Sequence, residues 1–244
     1  MKKWLAVFVV ITFLSGCKSS EPYTIVSYKS YAIEKKIVKD SLLHRILLPY
    51  NDSVKKYMQK PIGFATTSLT RRQPESTMGN LLADGVRWAA AKQYNKPIDA
   101  AFLNFGGIKS YIPRGNITVE TMYTIMPYDN VLVVQTIKGE VLLKLLNHIA
   151  SRGGWPLSGI SMKIVDKRAT EIMVNSLPLN LNARYTIALP DYIVNGGDYT
   201  NMLRYIPREN LQYLVRDGLI EYIQHLSASG LPVSATLQNR IVNE

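Results

Sequence analysis

Apolar side chains recur at helical spacing in four stretches of the chain and gather in short strand-like runs elsewhere. The clearest helix begins at Glu75 or Ser76 and runs to about Tyr94. Met78, Leu81, Leu82, Val86, Ala89 and Ala90 fall on one face of it, the stripe a helix turns toward a core. Lys138 to Ser151 repeats the pattern through Val141, Leu142, Leu145 and Ile149. Between Asp40 and Met58 the period is carried by Leu42, Leu43, Ile46 and Leu47, broken by Pro49, and resumed at Val54, Tyr57 and Met58. Proline has no amide N–H and crowds the preceding turn, so the pattern predicts two short helices bracketing it. Arg208 to Ser227 reads as mostly helical. Strands are predicted at Ile62 to Leu69, Ile98 to Leu103, Gly159 to Val165, Ala169 to Asn175 and Arg184 to Leu189. Tyr23 to Val38, rich in Tyr, Ile and Val, predicts one or two more, and Val233 to Ile241 a last one. A turn is expected at Arg71-Arg72-Gln73-Pro74. Helices and strands interleave without a strict βαβ rhythm and without repeats, which predicts an α+β fold with a mixed β-sheet flanked by helices.

The run Ile98 to Leu103 is long enough for a buried strand, and it stops abruptly at Asn104-Phe105-Gly106-Gly107. Glycines there let backbone amides approach a ligand, because no Cβ intervenes. Lys109 adds a cation beside them. The chemistry is that of an anion site at a strand end; a plain turn is the other reading of the same residues.

Composition changes the picture in two places. The formal charge is +11 at pH 7, but the cations are scattered singly, with no basic block or aromatic-basic alternation, so nucleic-acid binding is not indicated. An anionic membrane surface or a small phosphorylated ligand accounts for the charge equally well. At the start, Lys2 and Lys3 precede an uncharged apolar run from Trp4 to Leu14, too short to span a bilayer. Leu14-Ser15-Gly16-Cys17 follows, and it resembles the bacterial lipobox. The expectation is a signal peptide over 1–16 and lipidation of Cys17, the only cysteine. An anchor, tether and N-terminal extension would then cover 17–60, and one domain 61–244. With no second cysteine, a disulfide within the folded part is not expected. The implied localisation is the bacterial cell envelope, as a membrane-anchored lipoprotein.

Four motifs in one order carry a further resemblance: Glu75-Ser76-Thr77-Met78-Gly79-Asn80-Leu81, then Asn104 to Lys109 with Gly115 to Thr118, then Met126 to Asn130, then Asn195-Gly196-Gly197-Asp198. Together they resemble the C-terminal, substrate-binding domain of the 5'-nucleotidase family and span most of residues 61 to 244. The resemblance implies that Tyr128 and Tyr192 stack on the two faces of a nucleobase and that Asp198 accepts hydrogen bonds from ribose hydroxyls. It also places Asn104, Gly106, Gly107 and Lys109 in the substrate site, with Arg72 as a candidate for the second substrate arginine some relatives carry. Without the resemblance, each tyrosine reads as an ordinary core or surface residue.

This chain departs from the family pattern in informative ways. Lys109 stands where the family has arginine, losing the planar fork that grips an anion through two bonds. Phe105 stands where the first glycine would be and is expected to fill part of the pocket. Pro74 occupies the position of the second arginine. The metallophosphatase domain that precedes this one in full-length members, with its histidine-rich dinuclear motifs, has no counterpart here. His44, His148 and His225 are the only histidines, and none lies in a ligand motif. No nucleophile elbow or Walker loop appears either. The sequence therefore predicts no catalytic residue, metal or cofactor on this chain. It predicts a nucleotide-binding, substrate-recognition subunit of a split 5'-nucleotidase, whose partner is a separate metallophosphatase polypeptide carrying the divalent metals. The alternatives are a stand-alone nucleotide- or nucleoside-binding lipoprotein and an envelope interaction protein that keeps only the fold.

Overall fold

Six α-helices and eleven β-strands, with three short 3-10 turns, follow the chain through the computed structural model, which describes residues 28–31 and 40–244. The chain divides into the units Met1–Arg45 and Ile46–Glu244. Of the first, only residues 28–31, without regular structure, and 40–45 are described; the rest of the strands expected between Tyr23 and Val38, and Cys17, lie outside the described residues.

The first helix among the described residues, α1 (Ser41–Met58), runs unbroken through Pro49, where two helices were expected. Asp40 Oδ1 accepts the amide N–H groups of Leu42 and Leu43 at 2.9 and 3.0 Å and caps its first turn. No residue of this helix is buried, so the proline sits on an exposed turn, where a bend can be taken up without disturbing a packed face. β1 (Pro61–Ala65) follows. It is shorter than the expected 62–69, since Leu69 leaves it for a bridge with Ile112. α2 (Thr77–Tyr94) is capped by the Ser76 side chain, which accepts from the Gly79 amide at 3.0 Å, and its predicted stripe is buried throughout.

Next come β2 (Ala100–Phe102), β3 (Gly115–Thr118), α3 (Val119–Ile125), β4 (Val131–Lys138) and α4 (Gly139–Ser151). They lead into β5 (Leu157–Ser158), β6 (Ile160–Val165), β7 (Arg168–Val174), β8 (Leu177–Pro178), β9 (Arg184–Pro190) and the single turn α5 (Asp191–Val194). The remainder is β10 (Arg208–Leu214), α6 (Val215–Ala228) and β11 (Ile241–Asn243). Arg208 to Leu214 is thus a strand rather than the start of a helix: it pairs antiparallel with β4, with a register shift between Asn210 and Leu214. The segment expected as a last strand from Val233 is mostly irregular. It touches β1 through the Ala65–Val233 bridge and pairs only at β11, parallel to β6.

The main sheet runs β10-β4-β9-β2-β5, and a second sheet runs β11-β6-β7-β8. Parallel and antiparallel neighbours occur in both, so the fold is α+β with mixed sheets. Strand alternation buries both faces of the main sheet. Ala101, Leu132, Val134 and Ala188 point into one core with α2 and α6. Phe102, Val133, Ile137, Ile187 and Leu189 point into another with α4 and the second sheet. Fully apolar runs such as 131–134 are the sequence trace of that two-sided burial.

Candidate functional site

The strand directions bring three distant segments to one end of the main sheet. β2 and β9 run parallel, and β4 runs antiparallel to β9, with Leu132 opposite Pro190. The residues just beyond β2, just beyond β9 and just before β4 therefore share one rim, a common place for ligands at the carboxyl ends of parallel strands. A cavity of about 400 Å³ opens there, lined by Asn104, Gly106, Gly107, Lys109, Tyr128, Asn130, Tyr192 and Asp198. All the residues the sequence nominates for substrate are on this wall except Arg72. Arg72 instead borders a narrow cleft with Glu75, Asn80 and Arg240. Asn130, which no sequence argument singled out by itself, completes the wall.

Each wall segment is held by identifiable bonds. The turn Asn104–Gly107 needs the second of its glycines: a Cβ on Gly107 would lie 2.7 Å from Asn104 Oδ1, whereas one on Gly106 would meet nothing closer than 3.9 Å. The Lys109 amide donates to the Ile125 carbonyl at 2.9 Å, tying the turn to the end of α3. Lys109 Nζ then stands 5.2 Å from the centre of the Tyr128 ring, so cation and aromatic face the same space. Phe105 does not line the cavity. Its ring packs partly into the core below the sheet, and the Arg71 guanidinium lies 3.7 Å over it. Arg71 also donates to the Phe105 carbonyl through Nε at 3.3 Å and Nη2 at 3.0 Å. Of the two adjacent arginines, it is Arg71 that braces the site loop.

Tyr128 sits on the connection between α3 and β4, and that connection is clamped from beneath by Arg216. This buried guanidinium, on the first turn of α6, donates to the carbonyls of Met126 at 3.0 Å and Tyr128 at 3.4 Å. It also pairs with the Asp129 carboxylate and lies 3.9 Å over the Tyr123 ring. Tyr192 lies in α5, where the Asp191 carboxylate accepts the Tyr192 amide at 2.9 Å and the Val131 amide at 3.0 Å. One carboxylate thereby joins the two segments that carry the tyrosines.

Asp198 closes the wall from a left-handed backbone position, φ 51°. Its Oδ2 accepts from Asn104 Nδ2 at 2.8 Å and its Oδ1 from the Tyr192 hydroxyl at 3.2 Å. Its carbonyl lies 2.7 Å from His148 Nε2. A carbonyl only accepts, so this nitrogen carries the proton. His148 packs edge-on against Trp155 with centroids 5.8 Å apart, and so reaches up from α4 to fix the Asp198 loop. Gly197 is required beside it, since a Cβ there would come within 2.5 Å of the Tyr192 ring. Tyr192 and Asp198 are thus joined directly, through a hydroxyl that phenylalanine at this position would lack.

The supports Arg71, His148 and Arg216 carry no local signal of their role. His225 stacks on Trp88 with centroids 5.0 Å apart, and His44 is on the exposed helix α1. Among the described residues no group of three or more His, Cys, Asp or Glu side chains converges as a metal site would. The Glu75–Asn80 motif is also away from the cavity. Glu75 accepts from Asn80 Nδ2 at 2.6 Å and from the amides of Gln238 at 2.8 Å and Arg240 at 3.2 Å, pinning the C-terminal segment to α2.

A family model of the 5'-nucleotidase C-terminal domain matches residues 59–205. The 5'-nucleotidase of Vibrio parahaemolyticus is 25% identical over 176 residues, covering 68% of this chain and 30% of the relative. That of Vibrio cholerae is 23% identical over 199 residues, covering 77% and 35%. The chain spans about a third of the length of these curated relatives. Among solved structures, the 5'-nucleotidase precursor of Thermus thermophilus superimposes with a TM-score of 0.71 at 29% identity, over 84% of this chain and 43% of that one. The NAD nucleotidase of Haemophilus influenzae gives 0.62 at 17% identity, over 84% and 41%, a likeness of fold.

Proposed function

Because the chain belongs to the family of 5'-nucleotidase C-terminal domains, we propose that its rim cavity takes a nucleotide or nucleoside and that it is the substrate-recognition subunit of a split cell-envelope 5'-nucleotidase. The observation that carries this reading is the convergence of Asn104, Lys109, Tyr128, Tyr192 and Asp198 on one cavity from three separate segments. In this reading the rings of Tyr128 and Tyr192 hold the base by stacking, which tolerates many bases because each has a π-face. Asp198 and Asn104 meet the ribose hydroxyls, exchanging their mutual hydrogen bond for bonds to the sugar. Lys109 faces the phosphate. It does so as a point charge rather than a fork, so it attracts the anion without fixing its orientation.

The metal-dependent hydrolysis itself falls to a separate metallophosphatase polypeptide, which also carries the divalent ions. Lipidation of Cys17 would hold this subunit at a bacterial membrane. The test is a phosphatase assay on nucleoside monophosphates with the purified chain, with the metallophosphatase, and with both. The chain alone should show no chelator-sensitive turnover, and its addition should raise the turnover of the metallophosphatase. Robust chelator-sensitive hydrolysis by the pure chain alone would overturn the split-enzyme reading.

A further inference from the structure

Helix α1 buries none of its residues, yet its polarity is sharply divided. Leu42, Ile46, Tyr50, Leu43, Val54 and Leu47 follow one another round one side, because residues three and four apart share a helix face. They are between 43% and 69% exposed. The other side carries Arg45, Lys55 and Lys56 against the single acid Asp52; Leu48 is the one leucine that falls among them. Helices in proteins owe most of their stability to burial of such a face, so this one requires something apolar to cover it.

We propose that α1 lies in the plane of an anionic lipid surface, its leucine, isoleucine and tyrosine side among the acyl chains and Arg45, Lys55 and Lys56 at the headgroups. Charge complementarity selects this occupant. A protein groove would cover the apolar side equally well but gives no reason for three cations to one anion on the side turned away from the contact. On a membrane, long basic side chains flanking an apolar face reach the phosphates while their stems stay in the interface. Tyr50 and Tyr57 have the amphipathic rings that favour the same depth. No helix among the described residues is long and apolar enough to cross a membrane, so the helix lies on the surface rather than spanning it. The proposal rests in part on the anchor proposed at Cys17: a chain tethered there would keep α1 at a high effective concentration beside the surface it lies on.

The experiment uses the full mature chain on vesicles of phosphatidylcholine mixed with phosphatidylglycerol. A fluorophore is placed at Ile46→Cys or, separately, at Lys55→Cys, both exposed positions. Doxyl-labelled lipid should quench the Ile46 label severalfold more than the Lys55 label. In the Ile46-labelled chain, Lys56→Gln should lower the partition into the quenched state about fivefold, the equivalent of about 1 kcal/mol per cation at an anionic surface. No quenching at either label overturns the proposal. So does shielding of the Ile46 label without vesicles, either growing with protein concentration (a second copy) or appearing only with the metallophosphatase. Mass analysis of the same sample reads acylation of Cys17 separately. An acylated chain with an unquenched label sinks the helix proposal and keeps the anchor; an unacylated chain with a quenched label does the reverse.

Discussion

Asp129 is about three-quarters exposed while its partner Arg216 is buried to 4%, and this asymmetry inverts the usual ranking of a buried and a surface substitution. Removing the arginine, as in Arg216→Met, leaves Asp129 in water, where its charge is solvated. What is lost is the donor to the Met126 carbonyl, on a buried residue, and to the Tyr128 carbonyl, together with the contact over the Tyr123 ring. An acceptor left without a donor costs about 1–3 kcal/mol, and the methionine returns some of this by filling the space with apolar atoms. Removing the carboxylate, as in Asp129→Asn, leaves a buried guanidinium with two neutral carbonyl acceptors and, among the described residues, no partner for its Nε. A stranded buried charge costs about 3–5 kcal/mol. Water already surrounds Asp129 and can move in beside Arg216, which places the cost near the lower end, about 3 kcal/mol.

The expected result is that Asp129→Asn destabilises at least as much as Arg216→Met. Urea unfolding followed by the fluorescence of Trp88 and Trp155 reads this from the midpoints, provided the slope is unchanged. Both variants should also weaken nucleoside binding, because the clamp fixes the segment that carries Tyr128. If Asp129→Asn unfolds within about 0.5 kcal/mol of wild type while Arg216→Met loses several times more, the two carbonyls alone hold the guanidinium and the charge-pair reasoning fails.

Tyr192→Ala should weaken nucleoside binding by about 1–3 kcal/mol in calorimetric titration. Tyr192→Phe keeps the ring but releases Asp198 Oδ1 and should cost about 0.5–1.5 kcal/mol; tighter binding by Tyr192→Phe would instead mean that the hydroxyl competes with the ligand for Asp198. Lys109→Ala should weaken a nucleoside monophosphate more than the free nucleoside, by about 1.5–3 kcal/mol if the lysine bonds the phosphate, and an equal loss for both ligands contradicts that role. Glu221 is held below the usual carboxylate pKa chiefly by its bond to Lys92. A carboxylate with a depressed folded pKa contributes its stability above its unfolded pKa and loses it as pH falls through the folded value. Lys92→Ala should therefore cost about 0.2–1 kcal/mol at neutral pH, with the difference from wild type vanishing in acid titrations; a difference that persists at the acid end would trace to packing on Trp88 instead.

The helices Thr77–Tyr94 and Gly139–Ser151 are legible in the sequence because one face of each is buried along its whole length. Arg208–Leu214 is not. Its strand conformation comes from pairing with β4, a partner far away in sequence, and the register shift there blurs the alternation that would betray it. The Val233 region misleads for a related reason. Past the single bridge at Val233 it is held at Gln238 and Arg240 by the Glu75 carboxylate rather than by a ladder, and a side-chain clasp leaves no period in the residues it holds.

The site divides along the same line. The residues that face the cavity stand in short runs with their own grammar of glycine, asparagine and aromatic residues, so the sequence names them. The residues that hold those runs in place do not. Arg216 reaches the Tyr128 segment, His148 the Asp198 carbonyl and Arg71 the Phe105 carbonyl across long stretches of chain. Read locally, each is an ordinary basic residue near a turn or a helix end. What joins the two sets is strand direction: only because β4 runs against β9 does the segment before one strand meet the segment after the other. Any ligand held between Tyr128 and Tyr192 would thus bridge the β4–β9 pairing that Asp191 already ties. Loss of that carboxylate in Asp191→Ala should loosen the tyrosine pair together rather than singly. Nucleoside affinity should fall by about 1–3 kcal/mol without any contact to the ligand being removed. Unchanged affinity in a folded Asp191→Ala protein would show that the two rings are positioned independently.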